Sequence, residues 1–388
     1  MSTIKVTNIE HESTGNGGIQ LDSSGHVIID GVQMPSSGAL SHRNLLINGA
    51  MIISQRGTSF SSSHNNNNYG LDRWQVLCPN TSATIVHSQE STGGPDGFKN
   101  WLKASPSVAD TNIASSDYGF IQQKIEGYNF APARFGFSDA KKLTLSFRFK
   151  TNKAGTYCWM FRNSAANRNL IHEFTPVADG NWQTISFTIP GDTGGTWLTD
   201  NGVGLNHGLC IANGSSLQSS TTDTWFQGQY YHSTPNQVNF LDSTSNELGI
   251  TGIQMEIGEV ATEFEHRSHG EELARCQRYY YRHADRASDE GRSVGTFAMY
   301  QSSRCFGAVH FPVTMRATPT LDASDFTNAF KCFANANNQG FDGFAGIQET
   351  GTTNCVIESD ATLSLTAAAG AWVRCEGSTA QISFNAEI

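Results

Sequence analysis

The densest set of groups able to do acid–base chemistry is Glu256, Glu259, Glu263 and Glu265, four carboxylates within ten residues. Cleavage of a glycosidic bond needs two carboxylates facing one sugar, one as the acid and one as base or nucleophile. Glu259 precedes a turn, and Glu263 and Glu265 lie toward the exit of a domain, so solvated strand edges explain the run better than catalysis. The twelve histidines show no H-E-x-x-H or H-x-H spacing, and no G-x-S-x-G elbow occurs. The Gly-rich GDTGG and GNGG lack the Lys-Ser/Thr of a phosphate loop and are turns. The expectation is a protein without catalytic residues and without a cofactor.

Sugar binding is the other chemistry in reach. An exposed ring covers the apolar C–H face of a pyranose while Asn, Asp and Gln hydrogen-bond its hydroxyls. Trp197, His207, Trp225, Phe226, Tyr230 and Tyr231 fall in one stretch rich in Ser, Thr, Asn and Gln. Trp197, Trp225, Tyr230 and Tyr231 are the candidate glycan-binding residues, since long loops on rigid scaffolds often carry function. The competing expectation is that the same rings pack down to hold the loop. Tyr279, Tyr280 and Tyr281 form a second aromatic run, and packing at a domain or subunit interface suits tyrosine better than ligand binding.

Eight cysteines raise metal and disulfide chemistry, but none forms a C-x-x-C pair. Cys158 and Cys210 sit in apolar YCWMF and GLCIA, where a thiol packs as a small hydrophobe. All eight are expected to be reduced and structural.

The elements that must position these groups are short strands. With 388 residues the chain is long enough for two or three domains, and 38 glycines with only 15% charged residues imply many turns. A net charge of −10 argues against a nucleic-acid surface and against anionic membranes. No apolar run is long enough to span a bilayer, and the opening MSTIKVTNIEHE lacks the apolar core of a signal peptide, so the chain is expected to stay in the cytosol of the cell that makes it. Ile4, Val6, Ile9, Ile19, Leu21, Val27 and Ile29 alternate in a ribbon too small to bury its apolar face alone. MPSSGALSH, Met34–His42, reads as a linker, and the Asn run Asn65–Asn68 as a loop.

Strands are predicted at Leu45–Ile53, Trp74–Leu77, Ala83–Ser88, Lys99–Ala104, Tyr118–Lys124, Leu143–Lys150, Gly155–Phe161, Asn181–Ile189, Gly208–Ile211 and Ile250–Ile257. Their number and spacing predict a jelly-roll-like β-sandwich. Ser268, three residues before Glu271, predicts a capping box opening a short helix, with Arg278 and Arg282 at its far end. Beyond it, Val294–Tyr300, Arg304–Phe311, Lys331–Ala336, Gly343–Gln348, Ala361–Leu365, Ala371–Glu376 and Gln381–Ala386 predict a smaller sandwich. The predicted class is all-β, with domains at 1–42, 43–268 and 269–388.

The segment GIQMEIGEVATEFEHRSHGEELARCQRYYYR resembles the join between the two C-terminal domains of phage tail-fibre and virion-appendage proteins, especially from marine phages. NLLINGAMIISQRGTSF with YGLDRW resembles the opening of the carbohydrate-binding-module-like jelly-roll in the same proteins. The resemblance covers Met1–Gly31 as an attachment segment, Asn44–Arg267 as the sandwich and Cys276–Ile388 as the tip. It implies a homotrimeric tail fibre, assembled in the host bacterial cytoplasm and carried on the virion. Such a fibre contacts other virion proteins through its first segment and adsorbs to a host-surface glycan, with no nucleic-acid partner and no membrane insertion. Structural calcium is common in carbohydrate-binding sandwiches, and Asp72, Asp242 and Glu256 carry oxygens of the right kind, although their spacing does not decide the matter. Two alternatives stand beside the fibre: a head or tail decoration protein that binds no receptor, and a capsular polysaccharide depolymerase.

Overall fold

The computed structural model describes residues 8–9, 19–21, 27–29, 32–33, 42–64, 68–286 and 292–388. Most of the linker at 34–42, the positions Ile4 and Val6, and most of the Asn run lie outside the described residues. The chain is all-β. Near the N-terminus, β1 (Asn8–Ile9), β2 (Ile19–Leu21), β3 (Val27–Ile29) and β4 (Val32–Gln33) pair in that order as an antiparallel sheet.

Two compact units follow from the chain's own contacts: one of Met1–Ile52 with Thr58–Arg267, the other of Ile53–Gly57 with Ser268–Ile388. The first holds β5 (Ser59–Ser63), β6 (Asn68–Tyr69), β7 (Gln75–Leu77), β8 (Thr84–Glu90), β9 (Trp101–Val108) and β10 (Tyr118–Glu126). After a single helical turn, α1 (Gly127–Phe130), come β11 (Leu143–Thr151), β12 (Tyr157–Arg162), β13 (Arg168–Phe174), β14 (Gln183–Ile189), β15 (Val203–Asn213), β16 (Phe226–Gln227) and β17 (Leu248–Ile257). They form a six-stranded sheet, β14-β11-β17-β9-β8-β5, and a seven-stranded sheet, β16-β13-β12-β15-β10-β7-β6.

Alternation explains which faces meet. In β11, Leu143, Leu145, Phe147 and Phe149 point into the core, where Trp74, Trp159, Leu209 and Ile250 are also fully enclosed. β17 is buried on both faces, and its polar side chains are satisfied locally: Thr251 donates to Asn100 O at 2.7 Å and Gln254 accepts from Glu265 N at 2.8 Å. Gly252, at φ +60°, sits where the β11–β17 register slips, a backbone conformation that a side chain would strain.

The predicted strand at Leu45–Ile53 is not one. Asn48 and Met51 adopt φ near +59° and +56°, and the Gln123 side chain bonds both Ile47 N (3.0 Å) and Ile47 O (2.8 Å). A Cβ on Gly49 would lie 2.1 Å from Ile253 O, so backbone packs directly on backbone there. The apolar run LLINGAMII is buried as an irregular segment, and the N-G pair inside it is the turn signal. In this unit β5, β6, β13 and β16 fall outside the predicted strands.

The second unit opens with α2 (His269–Gln277), whose N-cap Ser268 accepts from Glu271 N at 3.3 Å as predicted. Glu271 also pairs with Arg275 at 3.1 Å, one turn on. Next come β18 (Tyr280–Asp285), β19 (Ser293–Gln301), β20 (Arg304–His310), β21 (Thr320–Ala323), β22 (Phe330–Ala334), β23 (Asn337–Phe341), β24 (Phe344–Gln348), β25 (Asn354–Ser359), β26 (Gly370–Cys375) and β27 (Gln381–Asn385). A three-stranded sheet, β18-β27-β21, faces a seven-stranded sheet, β23-β22-β26-β19-β20-β25-β24. The predicted strand at Ala361–Leu365 is a turn and irregular chain.

The tyrosine run is a second correction. The helix stops before it, and Tyr280 begins β18, pairing with Asn385 of the final strand. Tyr279 and Tyr280 are 0% and 1% exposed in the single chain, so neither ring offers surface to another subunit. The Arg56 guanidinium lies 3.6 Å above the Tyr280 ring, within the second unit. Tyr281 is half-buried beside His283, Phe311 and Phe384.

Candidate functional site

The site lies on the outer face of the first unit's seven-stranded sheet. Residues there belong to strands whose opposite faces fill the core, so their parity is fixed by packing and not by their own chemistry. The pairing puts them in rows. Leu77, Phe120, Cys210, Cys158 and Glu173 form one; Gln75, Gln122, Gly208, Met160 and Ile171 the next; Lys124, Asn206, Arg162 and Asn169 a third.

Apart from Glu173, which accepts from Thr234 and Asn236, the first row is apolar, and the long loop after β15 covers it. Phe226 and Tyr231 pack on Phe120, Cys158, Met160, Ile171 and Cys210. Gln237 clamps the loop, accepting from Cys158 N at 2.8 Å and donating to Cys210 O at 3.2 Å. The other rows become polar. Gln122 donates to Gln75 Oε1 at 2.8 Å, and Asn169 donates to Gly228 O at 2.9 Å. Gln122 Oε1, Asn206 Oδ1 and Asn169 Oδ1 are buried acceptors with no partner among the described residues. Gly208 lies between Gln122 and Met160, and a Cβ there would come within 2.8 Å of Gln122 Cβ. Its lack of a side chain lets the rows approach.

Lys124, Glu173 and Arg162 are the charged residues of these rows, and Arg162 is the one beside Tyr230. It donates to His232 Nε2 at 2.7 Å, and its guanidinium carbon is 5.7 Å from the Tyr230 ring centroid. No carboxylate pairs with it among the described residues. Burial, and then the neighbouring Arg162 charge, hold the His232 imidazole well below the usual histidine range, so it is neutral with its proton on Nδ1. Amides, a guanidinium with no carboxylate partner among the described residues and an exposed phenol can hydrogen-bond and stack.

The four predicted glycan-binding residues separate into two pairs. Trp197 is 8% exposed and packs on Phe130, Phe135 and Trp225, so its ring belongs to the core. Trp225 is half-buried against the same rings, with Nε1 donating to Pro190 O at 2.7 Å. These two hold the loop down. Tyr230 is 52% exposed beside Arg162, and Tyr231 closes the apolar row. The residues sequence reasoning missed are Gln75, Gln122, Asn206, Arg162 and Asn169. Their signal was present: single polar residues at period two in strands such as YGFIQQKIE and VGLNHGLCIAN, on the face away from the core.

The acidic run is structural. Glu256 is buried and accepts from Thr262 N at 2.8 Å and Thr262 Oγ1 at 2.7 Å. Glu265 accepts from Arg43 N, Asn44 N and Arg267, tying the two ends of the sandwich together. Glu259 pairs with Lys142 at 3.0 Å, and Glu263 is exposed. The carboxylates considered for calcium do not converge: Asp242 pairs with Lys153 at 2.5 Å, Asp72 is buried in its own segment, and no group of three His, Cys, Asp or Glu among the described residues could hold a metal. None of the eight cysteines forms a disulfide, and all are buried.

The sequence matches no family model and no curated protein. Among solved structures, a family 11 carbohydrate-binding module of Clostridium thermocellum, in complex with a mixed-linked tetrasaccharide, is similar at 15% identity and TM-score 0.27, covering 53% of this chain and 98% of that one. A CBM22-1 xylan-binding domain of Paenibacillus barcinonensis is similar at 8% identity and TM-score 0.27, over 58% and 100% of the two chains. The enzymatically active domain of tailspike protein 4 of bacteriophage CBA120 is similar at 10% identity and TM-score 0.28, over 55% of this chain, which spans 21% of that domain. At these TM-scores the likenesses carry no argument about ligand or activity.

Proposed function

We propose that the protein is a non-catalytic glycan-binding appendage of a phage virion, a homotrimeric tail fibre that adsorbs to host-surface saccharide. The observation that carries the binding part is the polar strip Gln122–Asn206–Arg162–Asn169 beside Tyr230, which is 52% exposed. An exposed phenol can cover the C–H face of a sugar while the guanidinium beside it bonds a hydroxyl or a carboxylate. The unpaired guanidinium favours a glycan that also carries a carboxylate. The fibre part rests on the resemblance of the linking segment, and on a ribbon whose Ile19 and Val27 are 43% and 39% exposed, apolar surface that neighbouring copies would cover.

Binding is tested on an array of neutral and uronic-acid-containing bacterial surface oligosaccharides with the full chain, Arg162→Gln and Tyr230→Ala. Each variant is expected to weaken capture roughly 10- to 100-fold, the worth of a hydrogen bond to a charged group or of a stacked ring. Capture unchanged in both variants rules this face out. Assembly is tested by solution mass of the full chain beside a chain beginning at Ser41. A trimer that dissociates on shortening supports assembly through the ribbon, and a monomer in both forms removes the trimeric fibre.

A further inference from the structure

The second unit carries an aromatic platform that its own core does not need. Asn338, Phe333, Trp372 and Thr296 lie side by side across four adjacent strands, β23, β22, β26 and β19, in one row on the outer face of the larger sheet. The enclosed core is built from Val294, Phe297, Phe330, Cys332, Phe341 and Val373 with their neighbours, and includes neither Phe333 nor Trp372. Trp372 is 41% exposed, an unusual position for a large apolar ring in a packed sandwich. It is also fixed: Nε1 donates to Ser293 Oγ at 3.0 Å, and Phe333 packs on it with ring centroids 4.9 Å apart. A ring already held in one rotamer loses little freedom when a ligand settles on it.

Beside the indole is a cavity of about 440 Å³, lined by Thr296, Phe333, Trp372, Gly370 and the turn carrying Asn335, Asn337 and Asn338. That volume is within the range of small-ligand sites, about 300–1,000 Å³. The turn is shaped for display: Asn335 and Ala336 both have positive φ, +49° and +62°, in a tight hairpin between β22 and β23. Gly370 forms the open floor, since a Cβ there would meet no atom within 4 Å. Three cations lie nearby and share the one carboxylate of Glu376, and the Arg374 guanidinium carbon is 5.8 Å from the Trp372 ring centroid. Arg374 donates to Glu376 at 2.8 Å, Arg292 pairs with the same carboxylate at 2.9 Å, and Lys331 approaches it at 3.8 Å.

We propose that this platform is a second saccharide site, distinct from the one on the first unit, which takes a pyranose. The C–H face of the sugar lies on the indole of Trp372, and its hydroxyls bond the side chains of Asn335, Asn337, Asn338 and Thr296. Exposed apolar ring, amides and hydroxyl are the complement of a sugar's C–H face and its hydroxyls.

The test uses the full chain carrying fluorine-labelled tryptophan, with the Trp372 resonance assigned from Trp372→Phe. It is titrated with the methyl glycosides of glucose, galactose, mannose and N-acetylglucosamine. The expected result is movement of the Trp372 resonance with at least one of them, retained in Arg162→Gln. Trp372→Ala should weaken binding of the matching oligosaccharide by about tenfold or more in calorimetry. If no sugar moves that resonance, the proposal is overturned. It is overturned too if Arg162→Gln abolishes the shift, or if the resonance moves only with protein concentration, which would make the platform a contact between copies. Retention of the shift alongside unaltered array capture by Arg162→Gln would remove the first site and leave this one standing.

Discussion

Replacing Trp159 with alanine is expected to destabilise the protein by about 3–5 kcal/mol, the cost of emptying a large aromatic site in a core that cannot collapse. The ring is 0% exposed, 4.8 Å by centroid from Phe147 and stacked on His207 at 5.9 Å with an 11° interplanar angle. Its Nε1 donates to His207 Nδ1 at 3.3 Å, so truncation also strips a buried imidazole of its donor. The neighbouring β15 and β11 are pinned by their own sheets, which is why the gap should persist as a cavity. Trp159→Phe should cost less, since it refills most of the volume and loses only the hydrogen bond. Urea unfolding followed by far-UV circular dichroism measures both; a loss below about 1.5 kcal/mol for the alanine variant would show that the core relaxes around the gap. Because Met160 and Arg162 lie on the same strand facing outward, the alanine variant should also weaken glycan capture without touching the binding face.

Acid is the second large lever. Burial pushes His87 down to about 4 and His207 down to about 3, from an ordinary 6.5. His87 has both ring nitrogens buried without a partner among the described residues, and His207 accepts from Trp159, so neither can take a second proton cheaply. Above pH 6.5 both are neutral folded or unfolded, and pH does not act through them. As pH falls below 6.5 the unfolded chain takes up protons that the folded chain refuses, so stability declines until the folded values are reached. Between pH 6.5 and 4.5 each histidine removes about 2–3 kcal/mol, and His232, also held well below its ordinary value, acts in the same direction. The sum rivals the whole stability of a typical domain, about 5–15 kcal/mol. Denaturant midpoints at pH 7.5 and 4.5 read this directly. His207→Gln, which takes no proton, should flatten the decline by one histidine's share, and a midpoint that does not move between the two pH values would contradict the burial of these rings.

Much of this protein was legible from residues alone. Alternation in LTLSFRFK and WQTISFTIP, dense turn signals and missing catalytic motifs specify an all-β chain with sandwich strands, because period-two patterning is a local property that survives any tertiary arrangement. The Ser268 cap was readable for the same reason: donor and acceptor are three residues apart. What only the tertiary structure decided is which side chains meet. Tyr279–Tyr281 looked like the end of a helix, but pairing with the final strand, about a hundred residues later, turned Tyr280 and Tyr281 into β18 and closed Tyr279 and Tyr280 from solvent. Trp197 and Tyr230 looked alike in one loop; packing on Phe130 and Phe135 took the first into the core and left the second beside Arg162. Gln122, Asn206, Arg162 and Asn169 lie on four different strands and became one strip only through strand register. Sequence carries the period of each strand; the order and register of strands depend on contacts between distant residues, and the two proposed binding surfaces are assembled there.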